Sequence, residues 1–131
     1  MGDAYKGPER RRATRVRAEF IVIYRVDRPV EVRMWIGNRE VNAMMLDLSE
    51  IGMAILTNYD IPASAILLIK FTLINLYAEK NERVRSMEII GEVRNSFSAE
   101  DNEHRLGIAF TKITQEDKYA ITGFVKAAMN R

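Results

Sequence analysis

Two short clusters of polar side chains are the part of this sequence whose residue types and spacing suit ligand binding. The first is an arginine-rich run near the start, Arg10-Arg11-Arg12-Ala13-Thr14-Arg15-Val16-Arg17. Arginine presents a planar fork of five donors, which grips phosphate oxygens in pairs, stacks on flat rings and pairs with O6 and N7 of guanine. In an extended chain, Arg11 and Arg15 would lie roughly 13 Å apart. That spacing favours a ligand with several anionic and aromatic parts over a single carboxylate.

The second cluster is Asp47-Leu48-Ser49-Glu50-Ile51-Gly52, where one predicted strand ends and the next begins. A carboxylate can accept two hydrogen bonds from the N1–H and N2–H₂ edge of guanine, and a hydroxyl can donate to phosphate or base. Glycine permits a turn, or a close ligand approach that a β-carbon would block. The alternative is a plain β-turn, in which Asp47 or Ser49 bonds its own backbone and Gly52 supplies a positive φ.

The two motifs differ in how often they arise by chance. With 14 Arg among 131 residues, roughly one or two Arg-x-x-x-Arg matches are expected, so the first motif is weak by itself. The pattern Asp/Asn-x-Ser-x-x-Gly is expected only about 0.03 times in this composition. The order of the motifs makes each of them more informative: a basic N-terminal leader (residues 1–17) is followed by a turn at the end of a predicted strand.

The composition argues against most enzyme chemistry. The sequence contains no Cys and one His, which removes disulfides, cysteine zinc sites, thiol nucleophiles and multi-His metal sites. A Ser-His-Asp triad could be built only around His104. We therefore expect a cytoplasmic binding module that is not an enzyme and holds no metal or cofactor.

The charge is unevenly distributed along the chain. The net charge is only +2, but residues 1–17 carry six basic and two acidic side chains, whereas the other 114 residues carry 14 basic and 16 acidic ones. A basic leader on a slightly acidic body is typical of a protein with an anionic partner. A solvated tail is the alternative explanation.

The elements that must position these motifs are mostly strands. β-Branched and alternating runs predict strands over residues 18–26, 30–36, 39–48, 53–57, 65–76, 86–97 and 104–111, with a hairpin turn at Gly37-Asn38. Thr114 as N-cap begins one predicted helix, with a single apolar stripe formed by Ile121, Phe124, Val125 and Ala128. Residues 65–76 are too short to cross a membrane. Six or seven antiparallel strands and one helix predict a β-barrel covered at an end or side by that helix.

With these motifs in this order, the sequence resembles the PilZ domain family. Residues 11–15 match the family's arginine motif, residues 47–52 match its second motif, and Leu106-Gly107-Ile108-Ala109-Phe110 is similar to its last-strand signature. The resemblance implies a flexible tail over residues 1–8 and one domain over residues 9–131. Its fold would be a six-stranded antiparallel β-barrel with a C-terminal α-helix and a flexible arginine-rich N-terminal segment.

The resemblance also implies a function, namely binding of the bacterial second messenger cyclic di-GMP. Arg11 and Arg15 would hold phosphates and guanine edges, Asp47 and Ser49 would contact guanine and phosphate, and Gly52 would shape the turn. Arg10 is similar to an extra basic residue in some members and favours a stacked pair of ligands. Ligand binding would order the arginine segment and change the surface offered to an unidentified effector protein.

Two other functions are kept as alternatives: a non-specific nucleic-acid-binding module, and a ligand-free PilZ-like adaptor that acts through protein contacts. The acidic body argues against the first, so no specific nucleic acid is expected as a partner. Membrane insertion is not expected either.

Overall fold

The computed structural model describes residues 13–130. The predicted tail over residues 1–8, together with Arg10 and Arg11, lies outside the described residues. In chain order the elements are β1 (Val16–Arg17), β2 (Ile21–Arg28), α1 (Val30–Ile36), β3 (Val41–Leu48), β4 (Gly52–Thr57), β5 (Ile66–Ile74), a 3₁₀ turn (Lys80–Glu82), β6 (Val84–Ser98), β7 (His104–Lys112) and α2 (Gln115–Met129). Neither of these helices is long and apolar enough to span a membrane.

The strands close into an antiparallel barrel. Their order is β3–β2–β5–β6–β7–β4, and β4 pairs again with β3. The short β1 lies on the same side of β3 as β2, with Val16 opposite Leu48 and Ile21 opposite Met44. β1 and β2 therefore act as one interrupted strand, so the barrel is six-stranded. The predicted six-stranded antiparallel barrel is confirmed.

Alternate side chains of each strand fill the barrel. In β2, Val22, Tyr24 and Val26 are buried whereas Ile21 is exposed, as the two-residue period of a strand requires. The Tyr24 hydroxyl shares a 2.8 Å hydrogen bond with Oγ1 of Thr57, which is also buried. Burial raises the pKa of Tyr24 to about 12. This pair is a polar link beside the apolar residues of the core.

Helix α2 packs against the barrel through its predicted apolar stripe. Ile121 and Val125 are buried in the core cluster, and the Phe124 ring lies 5.6 Å from that of Phe20. The Thr114 hydroxyl accepts a hydrogen bond from the Asp117 N–H at 3.1 Å, which confirms the predicted N-cap. The Asp117 carboxylate also accepts a 2.7 Å hydrogen bond from Nε of Arg85 in β6, so the first turn of the helix is fixed to the sheet.

One predicted strand is wrong, because Val30–Ile36 is the helix α1. The alternating pattern that predicted a strand also places Val32 and Ile36 four residues apart, on one helical face, and both pack against the core. Gly37 has a φ of +95° and its N–H bonds back to Met34, so Gly37-Asn38 caps a helix rather than forming a hairpin turn. Within residues 13–130 no strand pairs with residues 30–36, and helical hydrogen bonds satisfy their backbone instead.

Candidate functional site

Asp47 lies near the end of β3, where β1, β3 and β4 meet. Its backbone is opposite Arg17 of β1 and Ala54 of β4. A β-bulge between Met45 and Asp47 interrupts the alternation, so Met45 and Leu48 are both buried while the Asp47 side chain is 19% exposed. The bulge thus directs a carboxylate to the outer face of the barrel.

Two arginines and one backbone amide hold this carboxylate. Arg15 Nη1 lies 3.1 Å from Oδ1 of Asp47, and Arg105 Nη2 lies 3.3 Å from Oδ2. The Ala54 N–H donates to Oδ1 at 3.2 Å. Each carboxylate oxygen therefore has its own guanidinium, and the amide of β4 fixes the orientation of the group.

The predicted site residues are brought together only in part. Arg15 and Asp47, 32 positions apart, are in direct contact. Arg10 and Arg11 lie outside the part of the chain that the structure describes. Ser49 and Gly52 stand next to Asp47 in the β3–β4 turn, where both are engaged by the fold itself.

Ser49 is fully buried and bonded within its own turn. Its hydroxyl donates to the Gly52 carbonyl at 3.3 Å and accepts from the Ile51 N–H at 3.2 Å. The next residue, Glu50, accepts a 2.8 Å bond from the Thr122 hydroxyl of α2. The plain-turn alternative therefore describes Ser49 in this conformation, and the turn is attached to the C-terminal helix.

Gly52 is required by the approach of a neighbouring strand. Its φ is not positive, contrary to the positive φ expected in the plain-turn alternative. A Cβ at this position would overlap the backbone carbonyl oxygen of Ile108, and Gly52 is paired directly with Ala109 of β7. The missing side chain therefore allows β4 and β7 to pair closely at the point where the barrel closes.

Arg105 is the site residue that sequence reasoning missed. It alternates with the buried Leu106 and Ile108 along β7, so its outward direction was readable from the two-residue period. It lies 58 positions from Asp47, and only the pairing of β4 with β7 brings the two together. No local signal in the sequence indicates that contact.

The surface beside Asp47 is a row of small and polar residues across four strands. Asp47, Ala54, Gly107 and Asn95 are successive cross-strand partners. The Gly107 N–H donates to Oδ1 of Asn95 at 3.1 Å. The Asn95 amide lies over Gly107 and Ala54 is only 2% exposed, so the row forms a closely packed floor of small and polar residues beside the Asp47 carboxylate.

The charge around this floor is positive. Arg15 and Arg105 contact Asp47, and Arg17 lies directly opposite it in the β1–β3 pair, where side chains share a face. Two guanidinium groups therefore contact one carboxylate, and a third arginine lies opposite it on the paired strand. Such an arrangement suits an anion that also offers a donor edge to the carboxylate.

His104 does not form the triad that composition left open. Its Nδ1 lies 4.0 Å from Oδ1 of Asp60, but the Ser96 hydroxyl donates to the same oxygen at 2.9 Å instead of to the imidazole. The Ser96 hydroxyl is therefore bonded to a carboxylate and not to the imidazole that a triad requires. Between residues 13 and 130, no three His, Cys, Asp or Glu side chains cluster as metal ligands.

Comparison with solved structures finds the same fold in several proteins. The chain is similar to the inhibitor of motility MotI/DgrA of Bacillus subtilis, with a TM-score of 0.70 and 16% identity over 92% of this chain and 52% of that one. The chain thus spans about half the length of that inhibitor. It is also similar to the PilZ domain of Escherichia coli YcgR, determined with c-di-GMP, with a TM-score of 0.59 and 14% identity over 92% of both chains.

A third similar structure is the PilZ domain of CeSA from a cellulose-synthesizing bacterium, with a TM-score of 0.54 and 13% identity over 89% of this chain and 96% of that one. No curated protein matches the sequence. The PilZ domain family model matches residues 9–127, a range that includes every strand of the barrel and most of α2. On this evidence, and as its sequence motifs indicate, the chain belongs to the PilZ domain family.

Proposed function

We propose that this chain is a receptor domain for cyclic di-GMP and acts by binding rather than by catalysis. The observation that carries the proposal is the Asp47 carboxylate, held outward between Arg15 and Arg105 beside a floor of small residues. Membership of the PilZ family and the similarity to a YcgR domain determined with c-di-GMP support the choice of ligand.

The ligand's chemistry matches the charges of the site. Cyclic di-GMP has two guanine bases and two phosphodiester groups. Asp47 accepts from the N1–H and N2–H₂ edge of one guanine, and the arginine forks bind phosphate oxygens or stack on a base. The ion pairs of Asp47 are partly exposed and contribute at most about 1 kcal/mol each. Guanine can therefore replace Arg15 at the carboxylate, which releases that guanidinium for a phosphate.

Arg10, Arg11, Ser49 and Gly52 complete the proposed site. Arg11 shares the phosphates with Arg15, and Arg10 favours a stacked pair of ligands. Gly52 shapes the turn that carries Asp47 by admitting the β7 backbone. Ser49 supports the same turn and contacts the ligand directly only when its hydroxyl leaves the Gly52 carbonyl.

Ligand binding also changes the surface offered to other proteins. We propose that ligand binding orders the arginine segment that precedes the two-residue strand β1. We propose that this ordering creates or covers a contact surface for an effector protein. The same change in the leader would transmit occupancy of the site without a reaction.

Calorimetric titration of the full chain with cyclic di-GMP tests this function. We expect saturable binding that is lost in Asp47→Ala and retained in Asp60→Ala, which removes an exposed carboxylate from the loop between β4 and β5. Absence of heat at tens of micromolar protein, with a folded chain by circular dichroism, would refute the receptor. Binding of single-stranded oligonucleotides that survives Asp47→Ala would favour the nucleic-acid alternative. Capture of an effector that is insensitive to cyclic di-GMP would favour the adaptor.

A further inference from the structure

Arg105 lies 58 positions from Asp47 in the sequence, on the strand β7, which is paired with a strand on each side. We propose that it binds the ligand directly. Its guanidinium binds a phosphodiester group when the Asp47 carboxylate accepts hydrogen bonds from a guanine edge. This inference rests on the proposed function and adds a third arginine, supplied by β7, to the two arginines of the leader motif.

Arg105 has donors to spare. Its side chain is 50% exposed, and within residues 13–130 its side-chain hydrogen bonds go to Asp47 alone, through Nη2 at 3.3 Å. A guanidinium carries five N–H donors in one plane. Most of them remain for a ligand on the outer face, at the same place where the guanine edge would meet the carboxylate.

Arg105 is also better fixed than Arg15. Its strand is paired on both sides, with Arg105 opposite Leu56 of β4 and Phe97 of β6. Arg15 instead precedes β1, which is only two residues long. A cation that is already in place loses less conformational freedom on binding than one on a loose segment. Arg105 is thus suited to receive the anion first.

The charge balance indicates that Arg105 does more than neutralise Asp47. Arg15, Arg17 and Arg105 already exceed the charge of the single carboxylate. When a guanine edge occupies Asp47, the guanidinium groups lose their anionic partner in part, and a phosphodiester restores it. Gly107, two residues along β7 on the same outer face, is covered by the Asn95 amide, which accepts its N–H.

The test is a titration of cyclic di-GMP into the wild-type chain, Arg105→Ala, Arg105→Lys and Arg25→Ala. Arg25 is an exposed arginine of β2, a strand that carries no residue of the site. We expect Arg105→Ala to weaken binding roughly 10- to 100-fold, Arg105→Lys to restore part of the loss, and Arg25→Ala to bind like wild type. Thermal melts of each variant check that the domain is folded.

A double-mutant comparison separates direct contact from action through Asp47. If Arg105 binds phosphate itself, Asp47→Asn combined with Arg105→Ala binds more weakly than Asp47→Asn alone. The salt dependence of binding also becomes shallower in Arg105→Ala, because one fewer charge contact is made. A double variant no weaker than Asp47→Asn, with an unchanged salt dependence, would overturn the inference. Wild-type affinity in Arg105→Ala would also overturn the inference. Either result leaves the receptor function intact, whereas absence of binding by the wild-type chain refutes that function itself.

Discussion

Gly52→Ala tests whether this glycine of the second motif serves the barrel or the ligand. The added Cβ would overlap the backbone carbonyl oxygen of Ile108 and also come within 3.4 Å of the Ala109 Cα. Neither atom is the end of a flexible side chain, so β4 and β7 must shift apart where the barrel closes. Overpacking of this kind typically costs about 1–3 kcal/mol, and the backbone contact favours the upper part of that range. For a domain of this size, the melting temperature should fall by roughly 3–15 °C.

Gly123→Ala is the matched control, because nothing lies within 4 Å of a Cβ at this exposed position of α2. Replacing a helical glycine there should stabilise the domain by about 0.5–1 kcal/mol. Thermal and urea unfolding followed by circular dichroism, without ligand, would measure both effects. Gly52→Ala with wild-type stability and reduced affinity for cyclic di-GMP would refute the reasoning, since it would mean that Gly52 makes room for the ligand and not for β7.

Three further predictions concern the site, the core and the helix. Arg15→Lys should weaken cyclic di-GMP binding at least about tenfold by calorimetry, because an ammonium cannot replace the fork or its stacking; an unchanged affinity would contradict this. Tyr24→Phe should cost about 1 kcal/mol at pH 7 by leaving the buried Thr57 hydroxyl unpaired. Burial raises the pKa of Tyr24 from 10.0 to about 12, so the neutral Tyr24 stabilises the fold fully below pH 10, and this stabilisation is lost as the pH rises toward 12. Tyr24→Phe should therefore lose less stability than the wild type over that interval. Equal loss of stability in the two proteins would contradict this prediction. Arg85→Ala should cost about 1–3 kcal/mol in urea unfolding, because the Asp117 carboxylate, only 8% exposed, loses its 2.7 Å partner; an unchanged midpoint would exclude a stabilising role.

Much of the barrel was predictable because its strands alternate clearly. Residues 18–26 and 65–76 place apolar side chains at every second position, and the structure has strands at Ile21–Arg28 and Ile66–Ile74. The N-cap at Thr114 was predictable for the same local reason, since capping depends on residues only three positions apart. Local patterns of this kind are kept in the folded structure when its tertiary contacts are compatible with them.

The error at Val30–Ile36 arose where two periods fit one sequence. Apolar residues at positions 30, 32, 34 and 36 suit a strand, yet Val32 and Ile36 alone also suit one face of a helix. The choice depended on whether a neighbouring strand was available to pair with this segment. That is a property of the whole fold and is not written in seven residues.

By itself, the sequence determined the type of fold and the two motifs of the candidate site. Alternation dictates which face of each strand is buried, and the unusual second motif marks Asp47 as a group of interest. The tertiary structure alone decided how these residues are used. It placed Arg105 against Asp47 across 58 positions and packed the β7 backbone directly against Gly52. The physical reason is that β4 pairs with β7, a strand far away in the sequence, and such long-range contacts leave no local pattern in the chain.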